Sequence, residues 1–468
     1  MSGSSGSGVR TVGTPLRLRR TAQGWLLCAV LLWAVPALVL GGAHGAVSAA
    51  QDHAAPAVVD AAQVGAYLAD ADRVATAGFV AGTVQLSGPG QQYQDDLKSA
   101  EQALERAAGH DANGAGQLQT VEGLLVEYTS LIEQAHANAG RNTLSTAYLG
   151  YAAGVMNAPD TGILAQVAAL QAAEQDRVDR QRHSGWLAPA VQIGMLAPAV
   201  PALVLLVSTQ RFLSRHFRRR LNPGLLAATV LLLALSGWTA AEALRDYRAF
   251  TTACDRALPR LTAGWQARTL TARAAGGDAL AVFRGIPGQP LGGDFGTTLA
   301  PLTRDAGAPA PAPTLAPAPG DLASPAGAPS QGKLAQLLAG DLAGADPADG
   351  RRAGAEHLLQ DYRRFTDADA ALRQRAGTLG QDAAPATDPA TVAAAVGPAG
   401  TQLGGAVTAL DADLAARTTL ARQDLAGAEA TAGSDQGLSL ALPLLCAALA
   451  GLGLAGLWPR IDEYRAPR

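Results

Sequence analysis

Four stretches of the sequence are apolar over the thickness of a lipid bilayer, and they constrain the fold more than any other feature. They cover residues 24–43, 186–208, 224–241 and 437–458, and none contains an acidic or basic side chain. A bilayer core is spanned by roughly 20 helical residues at about 1.5 Å rise each. The sequence therefore predicts an all-α membrane protein with four transmembrane helices, named here the first to fourth spans.

The charged residues predict the orientation of these spans. Three short segments, residues 1–23, 209–223 and 459–468, together carry a net charge of +10. The two long segments, 44–185 and 242–436, together carry −13. An excess of arginine in short loops marks the cytoplasmic side of a membrane protein. We therefore predict a multi-pass cell-membrane protein with both termini and the 209–223 loop in the cytoplasm and both long segments outside.

The first span has an alternative interpretation as a signal peptide. Arginines precede it at Arg17, Arg19 and Arg20, and residues 47–49 resemble a cleavage site. Its apolar length, roughly 20 residues, exceeds the signal-peptide core of about 7–15. We therefore predict that this span is retained as an anchor behind a cytoplasmic tail.

Both long segments predict an extracytoplasmic, antiparallel four-helix bundle. In 44–185, apolar residues recur at helical spacing in a first helix that continues the first span, a second at 91–109, a third at 116–156 and a fourth that leads into the second span. The same plan returns in 242–436, but residues 285–330 hold 10 of the 27 prolines. Because proline is disfavoured in helix interiors, we predict that 285–330 is an exposed, partly extended insertion.

Two glycine-containing motifs have the spacing of nucleotide sites but lack their context. Residues 327–333 match a phosphate-binding loop, yet Leu334 stands where the Ser or Thr that binds magnesium is needed. Residues 451–456 match a dinucleotide fingerprint, but they lie inside the fourth span. Small residues at four-residue steps predict a helix-packing face there: Ala447, Gly451 and Ala455.

The remaining polar residues predict no catalytic or metal site. No two of the seven histidines stand at a metal-ligand spacing on one helix, and the three cysteines lie far apart. Aspartates paired at i and i+2 point about 200° apart on a helix. Three pairs have this spacing, Asp70/Asp72, Asp367/Asp369 and Asp411/Asp413, and Asp95/Asp96 are adjacent, so none of the four is expected to converge on one ion. We therefore predict no catalytic residue, no metal, no cofactor and no enzymatic activity.

Prolines interrupt three of the four spans. Pro36 lies in the first, Pro198 and Pro201 lie in the second, and Pro443 lies in the fourth. Each removes a backbone hydrogen bond and predicts a kink. Two interpretations stay open, since the kinks are either tolerated or carry motion from the outside segments to the inside.

Two cytoplasmic segments are candidate contacts for a partner inside the cell. The loop carries Arg218, Arg219 and Arg220, which topology and contact with membrane lipid also explain. The tail carries acids and an aromatic residue that topology does not explain: Arg460, Asp462, Glu463, Tyr464 and Arg465. The short cytoplasmic segments have no room for an enzyme domain, so we expect delivery of a signal by contact, and no nucleic-acid partner.

Two stretches, together with the layout, resemble a known family. The first is Tyr148-Leu149 with the small residues up to Met156, followed by 163–165, and the second is 459–465. Four spans around two outside bundles complete the likeness to the GlnX-like membrane proteins of actinobacterial amino-acid sensing. The insertion at 285–330 has no counterpart in this resemblance.

The resemblance implies a transmembrane signal transducer with two protein partners. An extracytoplasmic substrate-binding lipoprotein of the glutamine-binding type would capture glutamate or aspartate, and a cytosolic Ser/Thr kinase of the PknG type would receive the signal. Two alternatives stay open, a structural or scaffold protein of the envelope and a bundle that binds a small molecule directly. Arginine-rich pockets at a bundle interface would favour direct binding. The ligand and the oligomeric state stay open as well.

The charge pattern makes a testable prediction about topology. In a Cys254→Ser background, cysteines introduced by Ser99→Cys and Thr378→Cys should react with a membrane-impermeant thiol reagent on intact cells, because both positions lie in the acidic long segments. A cysteine introduced by Ser214→Cys should react only after the membrane is permeabilised. Labelling of the Ser214→Cys chain on intact cells would contradict the orientation.

Overall fold

The structure is a computed structural model of the chain, and it divides into two compact units. Unit 1 comprises residues 1–49, 180–251 and 428–468, and unit 2 comprises residues 50–179 and 252–427. The residues that the structure describes are 14–80, 90–110, 115–139, 142–182, 189–217, 223–284, 293–303, 331–343, 350–382, 389–432 and 436–463.

All regular structure in the described residues is helical, which confirms the all-α part of the predicted fold class. Two short π-helices, π1 and π2, join longer α-helices without a break in the helical residues. The elements in chain order are α1 (Thr14–Ala49), π1 (Ala50–Ala54), α2 (Ala55–Val80), α3 (Gln91–His110), α4 (Ala115–Ala137), α5 (Asn142–Asn157), α6 (Ile163–Arg182), α7 (Pro189–Gly194), α8 (Ala199–Phe217), α9 (Pro223–Thr252), π2 (Ala253–Ala257), α10 (Leu258–Arg284), α11 (Gly293–Thr303), α12 (Gly332–Ala343), α13 (Arg351–Asp382), α14 (Pro389–Ala432) and α15 (Gln436–Glu463).

The core of unit 1 is formed by apolar side chains of α1, α8, α9 and α15. Trp25 of α1 is buried in a cluster with leucines of the other three helices: Leu206, Leu225, Leu232 and Leu449. Gly453 lies against the Trp25 indole, where a Cβ atom would overlap the ring. The stretch 451–456 therefore does pack against another helix, but it does so through Gly453 and not through the predicted face. Its members are exposed in this structure: Ala447, Gly451 and Ala455.

Two helices of the described residues are long and apolar enough to cross a membrane. One is Gln23–Ala43, and the other lies within the helical stretch Pro223–Ala281. The apolar helices at the predicted second and fourth spans are shorter, Ala199–Arg211 and Ala441–Ala455. By length and composition the structure gives two candidate spans, so the four-span arrangement and the topology of the termini stay predictions.

The two prolines of the second predicted span have different effects. α7 ends at Gly194 and α8 begins at Ala199, and turns with hydrogen bonds from residue i to i−3 connect them. Pro198 lies in this break. Its backbone nitrogen carries no hydrogen and so cannot donate the hydrogen bond that would continue the helix. Pro201 lies in the first turn of α8, where a backbone N–H has no acceptor within the helix. The second span is thus interrupted at one proline and undisturbed by the other.

The other two prolines lie inside continuous helices. Pro36 is in α1 and Pro443 is in α15, and the helical residues continue on both sides of each. A proline in a helix interior removes one backbone hydrogen bond. These positions agree with the predicted placement, and their proposed role in transmission stays a prediction.

Unit 2 contains two hydrophobic cores joined by α2 and α10. The first core draws its side chains from α2 to α6 and the second from α10 to α14. α2 and α10 run parallel, because Gly65 faces Thr269 and Arg73 faces Gly276. A Cβ atom at Gly276 would lie 3.3 Å from the Arg73 Cα, so the glycine permits a close approach. Ala272 of α10 is buried in the first core, which therefore depends on both helices.

The predicted third helix at 116–156 is wrong, because the chain turns in its middle. α4 ends at Ala137 and α5 begins at Asn142. The Asn138 side chain donates a hydrogen bond to the Gln134 carbonyl at 2.7 Å. An Asn side chain that bonds to the preceding turn competes with continuation of the helix. The described part of this segment thus holds five α-helices, α2 to α6, instead of the predicted four.

Part of the predicted extended insertion is also wrong, since α11 lies within residues 285–330. Phe295, Leu299 and Leu302 follow a helical spacing and are buried in the second core. Three apolar anchors at this spacing stabilise a helix despite Pro301 in its last turn. The flanks, 285–292 and 304–330, lie outside the described residues. The first half of unit 2, residues 50–179, and its second half, residues 252–427, thus each show five α-helices in their described parts, α2 to α6 and α10 to α14.

The buried position of α11 predicts a large effect of a core truncation. Leu299→Ala should lower the free energy of unfolding by about 2–5 kcal/mol, the range for buried leucines, because it leaves a cavity among α10 to α13. Gly296→Ala on the same helix is the matched control, since its new Cβ would contact nothing within 4 Å. Denaturant unfolding followed by circular dichroism measures both. Equal stability of the two variants would contradict the packing of α11.

Candidate functional site

A buried hydrogen-bond network connects α2 to three other helices of unit 2. Asp72 accepts hydrogen bonds from the Tyr128 hydroxyl at 3.1 Å and from the Asn157 amide at 3.0 Å. The Asn157 carbonyl oxygen in turn accepts a hydrogen bond from Arg273 of α10 at 3.2 Å. This chain of bonds links α4 and α5 of the first half to α10 of the second half.

Burial is the largest cause of the pKa shifts of the titratable groups in this network. Burial raises the pKa of Asp72, and the hydrogen bonds from Asn157 and Tyr128 and the charge of Arg273 oppose the rise. The pKa of Tyr128 is raised by burial and then by the charge of Asp72, so the hydroxyl keeps its proton and donates it. Burial also lowers the pKa of Arg273. The partners hold a carboxyl group that would otherwise be costly to bury.

Arg268 forms a second polar link along α10. Its guanidinium makes a two-bond contact with Asp411 of α14, at 2.6 and 2.9 Å. Its Cζ atom also lies 4.8 Å from the ring centre of Trp265 and 6.0 Å from that of Tyr67 on α2. Burial acts to lower the pKa of Arg268, and the bonds to Asp411 outweigh it and raise the pKa. One side chain thus joins both halves of unit 2 through an ion pair and cation–π contacts.

A pair of carboxyl groups, those of Asp70 on α2 and Asp96 on α3, lies in the first half of unit 2. Arg73 and Gln92 both donate to Asp70, at 2.6 and 3.1 Å. Asp96 of α3 shares this site, and one of its oxygens, Oδ2, is buried without a hydrogen-bond partner. Burial, followed by the charge of Asp70, raises the pKa of Asp96 to about 7. Asp96 therefore gains or loses its proton near neutral pH.

The second half contains a comparable carboxyl pair. Arg373 of α13 donates to Asp278 of α10 at 2.8 Å, and its Nε lies 2.9 Å from Asp369. The Arg373 Cζ atom lies 4.3 Å from the ring centre of Phe295 on α11. Burial, followed by the hydrogen bond and charge of Asp278, raises the pKa of Asp369 to about 9. Asp369 is therefore protonated at neutral pH, and a single arginine serves both carboxyl groups.

An arginine-rich cluster lies where α10, α12, α13 and α14 meet. Arg260 bonds to Asp341 at 2.8 Å and to Asp424 at 3.2 Å, and Arg351 holds Asp424 through two bonds of 2.9 and 3.0 Å. Arg417 reaches Asp341 at 3.2 Å. The hydrogen bonds from Arg351 lower the pKa of Asp424. Burial opposes this effect, and the charges of Arg351 and Arg260 reinforce it. Three guanidinium groups of the described residues thus surround two carboxylates.

Most of the residues predicted to contact a cytoplasmic partner lie outside the residues that the structure describes. Arg460, Asp462 and Glu463 lie on the last turns of α15, and nothing is described of their side chains. The others lie outside the described residues: Arg218, Arg219, Arg220, Tyr464 and Arg465. Their role as contacts for a cytoplasmic partner stays a prediction.

Comparison with known proteins adds an independent observation about the first half of unit 2. Residues 46–183 match the family model of the actinobacterial sensor domain. No curated protein and no solved structure matches the chain. The matched segment includes α2 to α6, and it supplies three members of the first network, Asp72, Tyr128 and Asn157. The match supports an actinobacterial sensor protein with a signal-sensing role.

Hydrogen bonds of Arg268 and Arg273 thus join the two halves of unit 2. Sequence reasoning missed this site because its partners are distant in the chain, 116 residues apart for Arg273 and Asn157 and 143 for Arg268 and Asp411. Two signals were available in retrospect. One is the occurrence of aspartates and arginines on apolar helical stripes, and the other is the small-residue pattern of α2 and α10.

The pKa of Asp96 predicts a pH-dependent stability. Because that pKa is raised to about 7, the stability it contributes is complete below the unfolded pKa of about 3.9 and falls as the pH rises towards about 7. Asp96→Asn mimics the protonated group and should remove this fall. We expect the variant to exceed the parent chain by on the order of 1–2 kcal/mol at about pH 8.5, after allowance for partial exposure, and to equal it at low pH.

The control for this experiment is Asp95→Asn, which neutralises an exposed carboxylate on the same helix. Thermal unfolding of the full chain in detergent, measured across the pH range, compares the three proteins. If Asp96→Asn and Asp95→Asn show the same pH profile, the coupling of Asp96 to Asp70 does not exist.

Proposed function

We propose that the chain is a non-enzymatic transmembrane signal transducer, which couples an extracytoplasmic amino-acid-binding lipoprotein to a cytosolic Ser/Thr kinase. The sensor-domain match at 46–183 supports the sensing part of this proposal. The two apolar helices, in α1 and α9, support membrane insertion. Glutamate or aspartate as the signal, and the two partners, follow from the resemblance of 148–156, 163–165 and 459–465 to GlnX-like proteins.

The observation that carries the proposal is the packing of α2 along α10. Each of these helices follows an apolar candidate span without interruption of the helical residues, α2 after α1 and π1, and α10 after α9 and π2. Gly276 permits their close approach, and Arg273 of α10 is linked to Asp72 of α2 through the Asn157 side chain. A signal received by the first half can therefore change the second half by altering this single helix pair.

Direct binding of a small anion by the second half is a second candidate function. Its support is the gathering of three guanidinium groups, those of Arg260, Arg351 and Arg417, around two aspartates. A carboxylate ligand would compete with Asp424, whose side chain is partly exposed and is held by two arginines. Under this alternative, the purified chain would bind glutamate or aspartate without any lipoprotein, and Asp424→Asn would strengthen that binding.

A cross-link between α2 and α10 tests the transducer proposal. The Cβ of a residue at position 65 would lie 3.7 Å from the Thr269 hydroxyl, so Gly65→Cys with Thr269→Cys is close enough for a disulfide. In a Cys254→Ser background, we expect the oxidised pair to fix the output in one state. The measurement is phosphorylation of cytosolic kinase substrates after glutamate or aspartate is added to cells.

The controls separate locking from misfolding. Reduction of the disulfide should restore the response, and Thr269→Cys alone should respond like the parent chain. Deletion of 460–468 should leave membrane insertion and lipoprotein binding intact and abolish the response, if the tail contacts the kinase. An oxidised, cross-linked chain that still responds fully would overturn the role of the α2–α10 pair.

A further inference from the structure

We propose that His357, Asp361 and Asp413 form a binding site for a divalent transition-metal ion, best suited to Zn²⁺, between α13 and α14. One potential donor atom from each residue lies within 4.8 Å of the other two. The site belongs to the second half of unit 2, outside the segment that matches the sensor-domain model. It does not depend on the function proposed above.

The two helices bring the three donors together because they run antiparallel along a shared core. Arg351, at the start of α13, bonds to Asp424 of α14, whereas His357, farther along α13, contacts Asp413, which precedes Asp424. His357 and Asp361 are four residues apart, so they lie on one face of α13. Leucines on the neighbouring faces fill the core: Leu358, Leu359, Leu410 and Leu414. The donors therefore lie at the rim of that core.

The distances suit a small tetrahedral ion after a modest adjustment. The His357 Nδ1 atom lies 2.6 Å from the Asp413 Oδ2 atom and 3.7 Å from the Asp361 Oδ2 atom. Donors about 2.0–2.2 Å from a tetrahedral zinc are roughly 3.3 Å from one another. The Asp361 distance is close to this value, and the exposed His357 side chain can move by the roughly 0.7 Å that its contact with Asp413 requires.

Asp361 is oriented for this role by Arg364. The Asp361 side chain is 2% exposed, and its Oδ1 atom accepts a hydrogen bond from the Arg364 guanidinium at 2.8 Å. This bond holds one carboxylate oxygen and turns the other, Oδ2, towards the imidazole. A fixed carboxylate lowers the cost of ordering the site when the metal binds. The exposed side of His357 leaves the fourth position open to water, as in three-ligand zinc sites.

The donor set selects the class of ion. One imidazole nitrogen with two carboxylate oxygens suits zinc and its neighbours, whereas calcium and magnesium favour sites made wholly of oxygen. The two carboxylates carry a charge of −2, which the single guanidinium of Arg364 compensates only in part. A divalent cation therefore complements the charge of the site.

Protons compete with the metal. Metal ligands must be deprotonated, so a proton on the imidazole or on either carboxyl group is released when the ion binds. Affinity for zinc should therefore fall at acid pH.

Zinc titration of the purified full chain in detergent tests the proposal. With a chromophoric chelator as competitor, we expect the parent chain to bind one equivalent, and His357→Ala and Asp413→Asn to lose at least about tenfold in affinity. The matched controls are His53→Ala, an exposed histidine in the first half, and Asp367→Asn, an exposed carboxylate on α13. Both should bind zinc like the parent chain, and bound zinc should raise the unfolding temperature only where affinity is kept.

The outcomes decide the proposal. His357 is exposed, so His357→Ala should keep the circular dichroism spectrum of the parent chain, and its loss of binding then reports on the site itself. Equal affinity of the parent chain and His357→Ala would overturn the proposal, as would the absence of a saturable equivalent in the parent chain. Tighter binding of calcium than of zinc would overturn the assignment to a transition-metal ion.

Discussion

The close parallel packing of α2 against α10 is the contact on which the rest of unit 2 depends. Gly276 lets the two helices approach closely, Gly65 faces Thr269 across the contact, and Ala272 of α10 completes the core of the first half. Small residues at a helix contact gain dispersion energy from backbone proximity. Because the cores are closed jointly, the segments predicted as two separate bundles lie in one compact unit. A displacement of either helix therefore changes both cores, which is the physical basis for treating the pair as a route for a signal.

The ion pairs of α10 fix its register against α13 and α14 more than they add to stability. Replacing a buried ion pair by apolar residues is often neutral, whereas leaving one partner unpaired costs several kcal/mol. Arg268 with Asp411 and Arg373 with Asp278 each join two helices, so a slip of one helix along another would leave a buried charge unpaired. Such contacts favour a small number of discrete arrangements, as the proposed transducer requires.

The fold could be predicted from the sequence where periodicity determines structure, and not where distant residues do. The second helix, predicted at 91–109, agrees with α3, because an amphipathic pattern between a glycine-rich break and a second break defines it locally. The turn at Asn138 and the helix α11 were missed. In the first case apolar spacing continues across the turn, and in the second the prolines of 285–330 conceal three core residues. The metal donors His357 and Asp361 show a four-residue spacing in the sequence, but their partner Asp413 is 56 residues away from His357.

The two halves of unit 2 begin alike and then diverge, which bears on how their roles differ. Each starts with a five-residue π-helix, π1 or π2, followed directly by one member of the α2–α10 pair. π-helical turns are rare and concentrate at functional positions, so their occurrence at corresponding places supports the predicted internal repeat. Beyond this start, α3 is 20 residues long and α11 only 11, and the arginine-rich cluster belongs to the second half. The two halves thus share the helix pair that joins them, while the differing helices give each half its own arrangement of charged side chains.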